Sequence, residues 1–399
     1  MANDLNQTPS ANRIHIGFFG LRNAGKSSLV NAVTGQSLSI VSPVKGTTTD
    51  PVQKAMELLP LGPVVILDTP GLDDEGDLGQ ERVKRAYQAL NRTDLAVLVV
   101  DAALGLSFQD QRLLERIQAK KIPYLIAFNK SDLSAAPERA DAVAVSAKTG
   151  AGVEELKERI AALAKGAENS RVLLEDLVSP EELVVLVTPI DASAPKGRMI
   201  LPQVQSIRSI LDRHAACLVT QPEELTHMLG LLNTPPRMVI TDSQVFSTVK
   251  DLVPEEIPLT SFSILFARYK GILETATRGA GKLGHLHDGD RVLISEGCTH
   301  HRQCQDIGTV KLPGWIRAFT GKELEFQFTS GTEFPEDLSP FSLVIHCGGC
   351  MLTEREVRYR MQCAQDQGIP FTNYGTAIAH MNGILKRSLS LFPDLAALL

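Results

Sequence analysis

Nine residues near the amino terminus, Gly20-Leu21-Arg22-Asn23-Ala24-Gly25-Lys26-Ser27-Ser28, restrict the chain to very few folds. The first eight satisfy the spacing G-x-x-x-x-G-K-S/T in full, after the apolar run Ile14–Phe19 and ahead of a helical pattern over Ser28–Thr34. Gly20 and Gly25 let backbone N–H groups close around phosphate oxygens, and a helix N-terminus favours negative charge there. Lys26 is placed to reach the β- and γ-phosphates, and the Ser27 hydroxyl to bind Mg²⁺. Asn23, Ala24 and Ser28 complete the loop as further nucleotide contacts.

Residues downstream choose the base. The strand-like run Val64–Leu67 ends in Asp68-Thr69-Pro70-Gly71, where Asp68 can hold Mg²⁺ through water and the Gly71 N–H can sense a γ-phosphate. A further run, Tyr124–Phe128, ends in Asn129-Lys130-Ser131-Asp132. The Asp132 carboxylate can accept two hydrogen bonds from guanine N1 and N2, which adenine cannot donate. Val143–Val145 leads into Ser146-Ala147-Lys148, positioned for the guanine oxygen. With Leu95–Val100 as another strand and helical patterns at 81–90, 109–120 and 153–163, strands and helices alternate, which predicts a mostly parallel sheet. This segment resembles a translation-factor-type small GTPase. Asn23 stands where potassium-activated GTPases of the tRNA-modifying and ribosome-assembly type carry a K⁺-ligating Asn. Gly46-Thr47-Thr48-Thr49-Asp50 resembles their switch I, which makes Thr48 the contact to Mg²⁺ and γ-phosphate. Leu72 replaces the Gln that orients water in Ras-like proteins, so unaided hydrolysis is expected to be slow; Glu75 and Glu81 are the acids nearby.

Composition narrows the partners. The 399 residues carry a formal net charge of −6, without the basic footprint of a nucleic-acid binder. The first ten residues are polar, and no apolar run reaches the roughly 18 residues that span a bilayer. A cytoplasmic protein without membrane association is the expectation, its six cysteines acting as metal ligands or core residues.

From residue 183 a second α/β pattern begins, with strands at 183–187, 216–220, 238–240 and 259–260 and no phosphate loop of its own. Such a catalytically silent unit reads as a dimerisation module, with Cys217 in its core. Thr277–Leu283 mimics a phosphate loop but lacks its first Gly and its Ser/Thr, and is expected to be a flexible connection.

The last third holds metal-ligand chemistry. Cys298-Thr299-His300 follows the strand pattern 291–295, and His346-Cys347-Gly348-Gly349-Cys350 follows the pattern 341–345. The glycines let a tight turn aim Cys347 and Cys350 at one metal or cluster. Cys298, Cys347, Cys350, His300 and His346 are the candidate ligands; Cys304 is a reserve, and Cys363 a packing residue.

The whole chain, by these motifs with Lys311–Trp315 and Thr372–Gly375, resembles the HydF family of FeFe-hydrogenase maturation GTPases. The resemblance implies a P-loop GTPase domain at 1–167, a small α/β dimerisation domain at 168–265 and an α/β cluster-binding domain at 266–399. It implies GTP/GDP, Mg²⁺ and K⁺ in the first and a 4Fe–4S cluster on Cys298, Cys347 and Cys350 in the third. The fourth iron is then left to His300, His346, water or incoming cargo. It further implies a homodimer that assembles a binuclear iron subcluster and delivers it to FeFe-hydrogenase, alongside the radical-SAM maturases of that pathway. The alternative is a GTPase of RNA modification or ribosome assembly with a structural zinc site, since three Cys and a His also suit tetrahedral Zn²⁺.

Overall fold

Runs of three to seven residues, most of them apolar, form the strands of three sheets among the described residues. The computed structural model describes residues 13–35, 52–71, 86–165, 172–190, 199–297, 307–331 and 333–398. The chain divides into two compact units, Met1–Ser170 and Arg171–Leu399.

The first unit holds β1 (Ile14–Phe19), β2 (Val52–Leu58), β3 (Gly62–Asp68), β4 (Leu95–Asp101), β5 (Tyr124–Asn129) and β6 (Ala142–Ala144). Their order is β2-β3-β1-β4-β5-β6, with β2 antiparallel to β3 and every other pair parallel. Alternate residues feed two cores: Ile16, Phe18, Val97 and Val99 on one side, Phe19, Leu98, Val100 and Phe128 on the other. Burial on both faces is why the central strands β3, β4 and β5 read as nearly continuous apolar runs. The helix Lys26–Thr34 follows β1 and the helix Val153–Lys165 follows β6.

The second unit contains two four-stranded, all-parallel sheets. One is ordered β10-β9-β7-β8, from β7 (Leu183–Val187), β8 (Ala216–Thr220), β9 (Met238–Thr241) and β10 (Leu259–Ser261). The other is ordered β12-β11-β13-β14, from β11 (Arg291–Ser295), β12 (Glu325–Thr329), β13 (Leu343–His346) and β14 (Phe371–Asn373). A single core runs through both, from Val185 and Val239 to Val292, Val344 and Leu389. The expected boundary at 265/266 falls inside the helix Phe262–Tyr269, where Leu265 and Phe266 are buried. Cys217 lies half-buried on β8 and Cys363 half-buried against the shared core.

One expectation is overturned outright. Most of the stretch expected to be a flexible connection, 277–283, is helical: Leu273–Ala280 forms a helix with Ala276, Thr277 and Ala280 fully buried, continuing into a 3₁₀ turn. Its small residues, which imitate a phosphate loop, let the helix approach β14 closely. A Cβ on Gly279 would stand 2.0 Å from the Phe371 carbonyl oxygen. Gly279→Ala is therefore expected to destabilise the second unit by roughly 1–3 kcal/mol, the usual range for overpacking. A lower urea midpoint without loss of nucleotide binding by the first unit would be the measured result.

Candidate functional site

Two sets of candidate side chains stand at the carboxyl ends of parallel strands, one set in each unit. In each sheet the strand order reverses there, at the topological switch point where α/β folds bind ligands.

In the first unit, the loop after β1 is held by close backbone approaches. Gly20 has φ 142° and a Cβ there would lie 2.2 Å from the Val99 carbonyl oxygen on β4. Gly25 has φ 89° and caps the helix Lys26–Thr34; a Cβ would meet Asn129 Nδ2 at 2.2 Å. The buried Lys26 ammonium donates to the carbonyls of Gly20 (3.0 Å) and Leu21 (2.8 Å), so it already lies along the loop. Ser27 Oγ donates to Asp68 Oδ2 at 2.7 Å. These are the two groups expected to share Mg²⁺, and their direct contact shows that they converge on one point. Gly71 reaches the same loop, where its Cβ position is 3.0 Å from Arg22 Cβ and N. Asn23, exposed at the tip of the loop, has φ 63°, a left-handed conformation that Asn tolerates better than most residues.

The side expected to meet the base is tied to the phosphate loop by Asn129. Asn129 Nδ2 donates to the Ala24 carbonyl (2.9 Å), and its Oδ1 accepts from Ala147 N–H (3.0 Å). Asp132 Oδ1 accepts from Ser146 Oγ (2.7 Å), which aims the exposed carboxylate. Lys130, at φ 64°, pairs with Asp101 Oδ2 at the end of β4 (2.7 Å). Asp101 went unnoticed in the sequence because a lone Asp after a strand has no spacing signature. Lys148 is exposed beside Ala147 and Ser28 lies in the helix. Thr48, Leu72, Glu75 and Glu81 lie outside the described residues.

In the second unit, β11 and β13 are adjacent, with Ser295 in register with His346. Cys347 and Cys350 follow β13 in a turn that contains Gly349 at φ 64° and closes through Leu352 N–H to the Gly349 carbonyl (3.1 Å). Cys347 Sγ accepts from Gly349 N–H (3.4 Å) and from Gly297 N–H (3.1 Å). The second bond joins residues 50 apart in sequence, and Cys298 is the residue after Gly297. Cys298, His300, His301 and Cys304 lie outside the described residues.

His346 is fully buried and sits behind this turn. Its ring stacks on Phe371 at 5.9 Å, and Nδ1 lies 2.7 Å from the Cys347 carbonyl oxygen. A carbonyl only accepts, so Nδ1 carries the proton; Nε2 is then the acceptor for the guanidinium of Arg360 at 3.4 Å. Both ring nitrogens are engaged inside the protein. Burial, and then Arg360, push its pKa down to about 3, so the imidazole is neutral at ordinary pH.

Arg360 is itself fully buried. It donates to Glu356 Oε1 (2.9 Å), Ser295 Oγ (3.1 Å) and the Gly331 carbonyl (2.7 Å), and lies over the Phe334 ring. Glu356 and Arg360 were invisible as site residues because an i, i+4 acid–base pair reads as a solvated helix face. Burial, reinforced by Cys350, pushes the Cys347 thiol up to about 11, against the pull of the Gly297 and Gly349 N–H groups and of Arg360. The Cys350 thiol is also raised, mainly by burial, while the Lys270 ammonium opposes the shift. Thiols in this state ligate only when a cation displaces their protons. N–H bonds to sulfur, a glycine-shaped turn and a fixed neutral His fit a thiolate-held metal or cluster.

Comparison with known proteins follows the same division. Residues 15–130 match the model of a 50S ribosome-binding GTPase, residues 173–271 the hydrogen maturase F dimerization domain, and residues 274–391 the hydrogen maturase F tetramerization domain. The chain is 38% identical over 154 residues to the tRNA modification GTPase MnmE of Chromobacterium violaceum, covering 37% of this chain and 34% of that one. It is 36% identical over 135 residues to the GTPase Der of Kosmotoga olearia, covering 33% and 30%. The chain thus spans about a third of the length of these curated relatives. Among solved structures it is similar to Aquifex aeolicus Era bound to GDP·AlF4⁻ (TM-score 0.35, 21% identity, covering 52% of this chain and 93% of that one). It is also similar to the G domain of the T. maritima FeoB iron transporter (TM-score 0.30, 27% identity, covering 38% and 99%).

Proposed function

Because this chain belongs to the hydrogen maturase F family, with a GTPase domain ahead of that family's dimerization and tetramerization domains, we propose that it couples GTP hydrolysis to holding an iron–sulfur site. In this reading it assembles a binuclear iron subcluster and passes it to FeFe-hydrogenase, acting as an oligomer through its second unit.

Water attacks the γ-phosphate of GTP, giving GDP and phosphate. Lys26 swings from the Gly20 and Leu21 carbonyls to the β- and γ-phosphates, and the loop N–H groups close on them. Ser27 and Asp68 would hold Mg²⁺, which supplies neutralising charge between the phosphates. Asp132, aimed by Ser146, selects guanine, and Asn129 transmits base occupancy to the phosphate loop through Ala24. Asn23 at the loop tip is the residue for K⁺. Hydrolysis is expected to run at least several-fold faster in K⁺ than in Na⁺ at matched ionic strength; equal rates would remove Asn23 from this role.

One observation carries the cluster reading: the Gly297 N–H to Cys347 Sγ bond, which brings the loop leading to Cys298 onto the Cys347–Cys350 turn. Cys298, Cys347 and Cys350 would hold a 4Fe–4S cluster, which supplies an iron with an exchangeable fourth position; His300, water or cargo would fill it, while His346 fixes the turn. A three-thiolate site suits a carrier, because a cluster closed by four thiolates has no open iron. Anaerobic reconstitution with iron and sulfide, followed by metal analysis and EPR, tests this. A brown protein with iron and labile sulfide in equal amounts is the expected result, and a colourless zinc protein would overturn it.

A further inference from the structure

The two four-stranded sheets of the second unit are wired alike. Numbered by their order in each sheet's own sequence, the strands stand fourth, third, first, second in both, β10-β9-β7-β8 and β14-β13-β11-β12. Residues agree along with topology. Ile257-Pro258-Leu259-Thr260-Ser261-Phe262 at β10 corresponds to Ile369-Pro370-Phe371-Thr372-Asn373-Tyr374 at β14, and at the same spacing Gly271-Ile272-Leu273 corresponds to Gly383-Ile384-Leu385.

Local geometry repeats with the residues. Ser261 and Asn373 each cap the helix that follows, accepting from the N–H of Ile264 and of Thr376. Gly271 and Gly383 follow those helices at φ 70° and 71°. Ile272 N–H then donates to the Ala267 carbonyl (2.9 Å), and Ile384 N–H to the Ala379 carbonyl (3.0 Å). Between strands, Val239 N–H donates to the Pro258 carbonyl (2.8 Å), and Val344 N–H to the Pro370 carbonyl (2.9 Å). Asp242 N–H donates to the Val187 carbonyl (3.3 Å) and Cys347 N–H to the Ser295 carbonyl (2.9 Å), so Asp242 is the counterpart of Cys347.

The two copies also face each other, like element against like. Helix Phe262–Tyr269 packs on its counterpart, helix Tyr374–Met381. A Cβ on the buried Gly375 would stand 2.5 Å from Cβ of Ser263, the residue equivalent to it in the first copy. Contacts run in both directions. Arg358 Nε donates to the Lys270 carbonyl (3.2 Å), and Lys250 Nζ to the equivalent carbonyl of Asn382 (3.4 Å). Helix Tyr374–Met381 packs on the 3₁₀ turn Ser243–Val245 of the first copy. In return, helix Phe262–Tyr269 reaches the Cys347–Cys350 turn, with Ser263 Oγ 3.6 Å from the Cβ position of Gly348. Reciprocal contacts between equivalent surfaces are what a two-fold axis produces.

We propose that the second unit is two copies of one α/β module folded about a pseudo-two-fold axis, and that the first copy walls the cysteine site across this axis, with Ser263 as a positioning residue. The wall rests on the cluster reading above; the axis does not. Only one of the two equivalent strand ends is equipped for metal, because the turn Asp242–Val245 carries no thiol. Gly348 and Gly375 let the helix of the first copy come close to the ligand turn, and that support limits how far the turn opens to release what the thiols hold.

The test uses the full chain, reconstituted anaerobically with iron and sulfide. Gly375→Ser puts on one side of the axis the side chain that the other side already has. Overpacking of this kind is expected to lower the melting midpoint of the second unit by about 2–10 °C. Well below that midpoint, iron is expected to pass to a chelator at least tenfold faster than from the wild type, with GTP hydrolysis unchanged. Ser263→Gly combined with Gly375→Ser exchanges the pair across the axis, and is expected to bring iron release back to within threefold of the wild type and to recover most of the midpoint. A double variant that melts as low as Gly375→Ser would overturn the two-fold packing. A lowered midpoint with wild-type iron release in Gly375→Ser would reduce the contact to packing and overturn the wall. If Gly375→Ser does not fold, the double variant decides: wild-type-like melting and iron release support the proposal, and failure to fold overturns it. A wild-type protein that takes up no iron overturns the cluster reading and the wall with it, while the melting comparison still judges the axis.

Discussion

Asp132→Asn is expected to weaken GTP binding by about 10–10²-fold, because the amide oxygen can accept from only one of the two guanine N–H groups and the other hydrogen bond to an ionised acceptor, roughly 1.5–3 kcal/mol, is lost. The carboxylate is not loosely placed: Ser146 Oγ holds Oδ1 at 2.7 Å, and Thr149 N–H in turn donates to that hydroxyl at 3.2 Å. The Asn amide presents N–H where guanine also presents N–H, so the variant adds a repulsion besides losing an attraction. The same argument predicts a changed preference. Xanthine carries a carbonyl at the position of the guanine 2-amino group, so the variant is expected to bind xanthosine triphosphate better than GTP. A titration with fluorescent nucleotides separates the outcomes. Loss of both nucleotides would mean a damaged fold, and retained GTP affinity would remove Asp132 from base recognition.

Cys347→Ala is expected to bring iron uptake down to background while leaving GTP hydrolysis near its wild-type rate. The phosphate-loop residues and the Cys347–Cys350 turn lie in separate compact units, which is why the two readouts are expected to part cleanly. Alanine also strands the N–H groups of Gly297 and Gly349, a loss of roughly 1–3 kcal/mol if they stay buried. Cys347→Ser controls for this, because a hydroxyl accepts those bonds yet is a poor ligand for a soft metal site. Both variants are expected to lose iron, and the Ser variant to unfold closer to wild type. Full iron content in either one would mean that the thiols outside this turn suffice.

Much of the first unit was legible because its chemistry is local. The residues from Gly20 to Ser27 are contiguous, and the guanine-side residues Asn129, Asp132 and Ser146 sit directly after strands whose aliphatic runs announce them. In the second unit 183–187, 216–220 and 291–295 coincide with β7, β8 and β11, whereas the pattern 341–345 is offset from β13 and the short β12 and β14 were not read from the sequence. The stretch 277–283 was not, because Gly and Ala there report a close helix–strand approach as readily as a loop. Composition alone does not separate these two uses of small residues.

By itself the sequence determined which residues can do chemistry: a phosphate loop, a carboxylate suited to guanine, and thiols spaced to share a metal. Their periodicities also settled where most strands and helices lie, since those depend on neighbours within a few residues. Tertiary structure alone decided how these parts act together. It made Asn129 bridge Ala24 and Ala147, put Gly297 on Cys347, and turned His346 inward between Cys347 and Arg360. It also buried Arg360 with Glu356 and brought Lys270 to Leu352, 82 residues away. Such contacts come from strand order and from which helix face meets the core. A charged residue in a local pattern has the same signature whether packing leaves it in water or seals it behind a ligand turn.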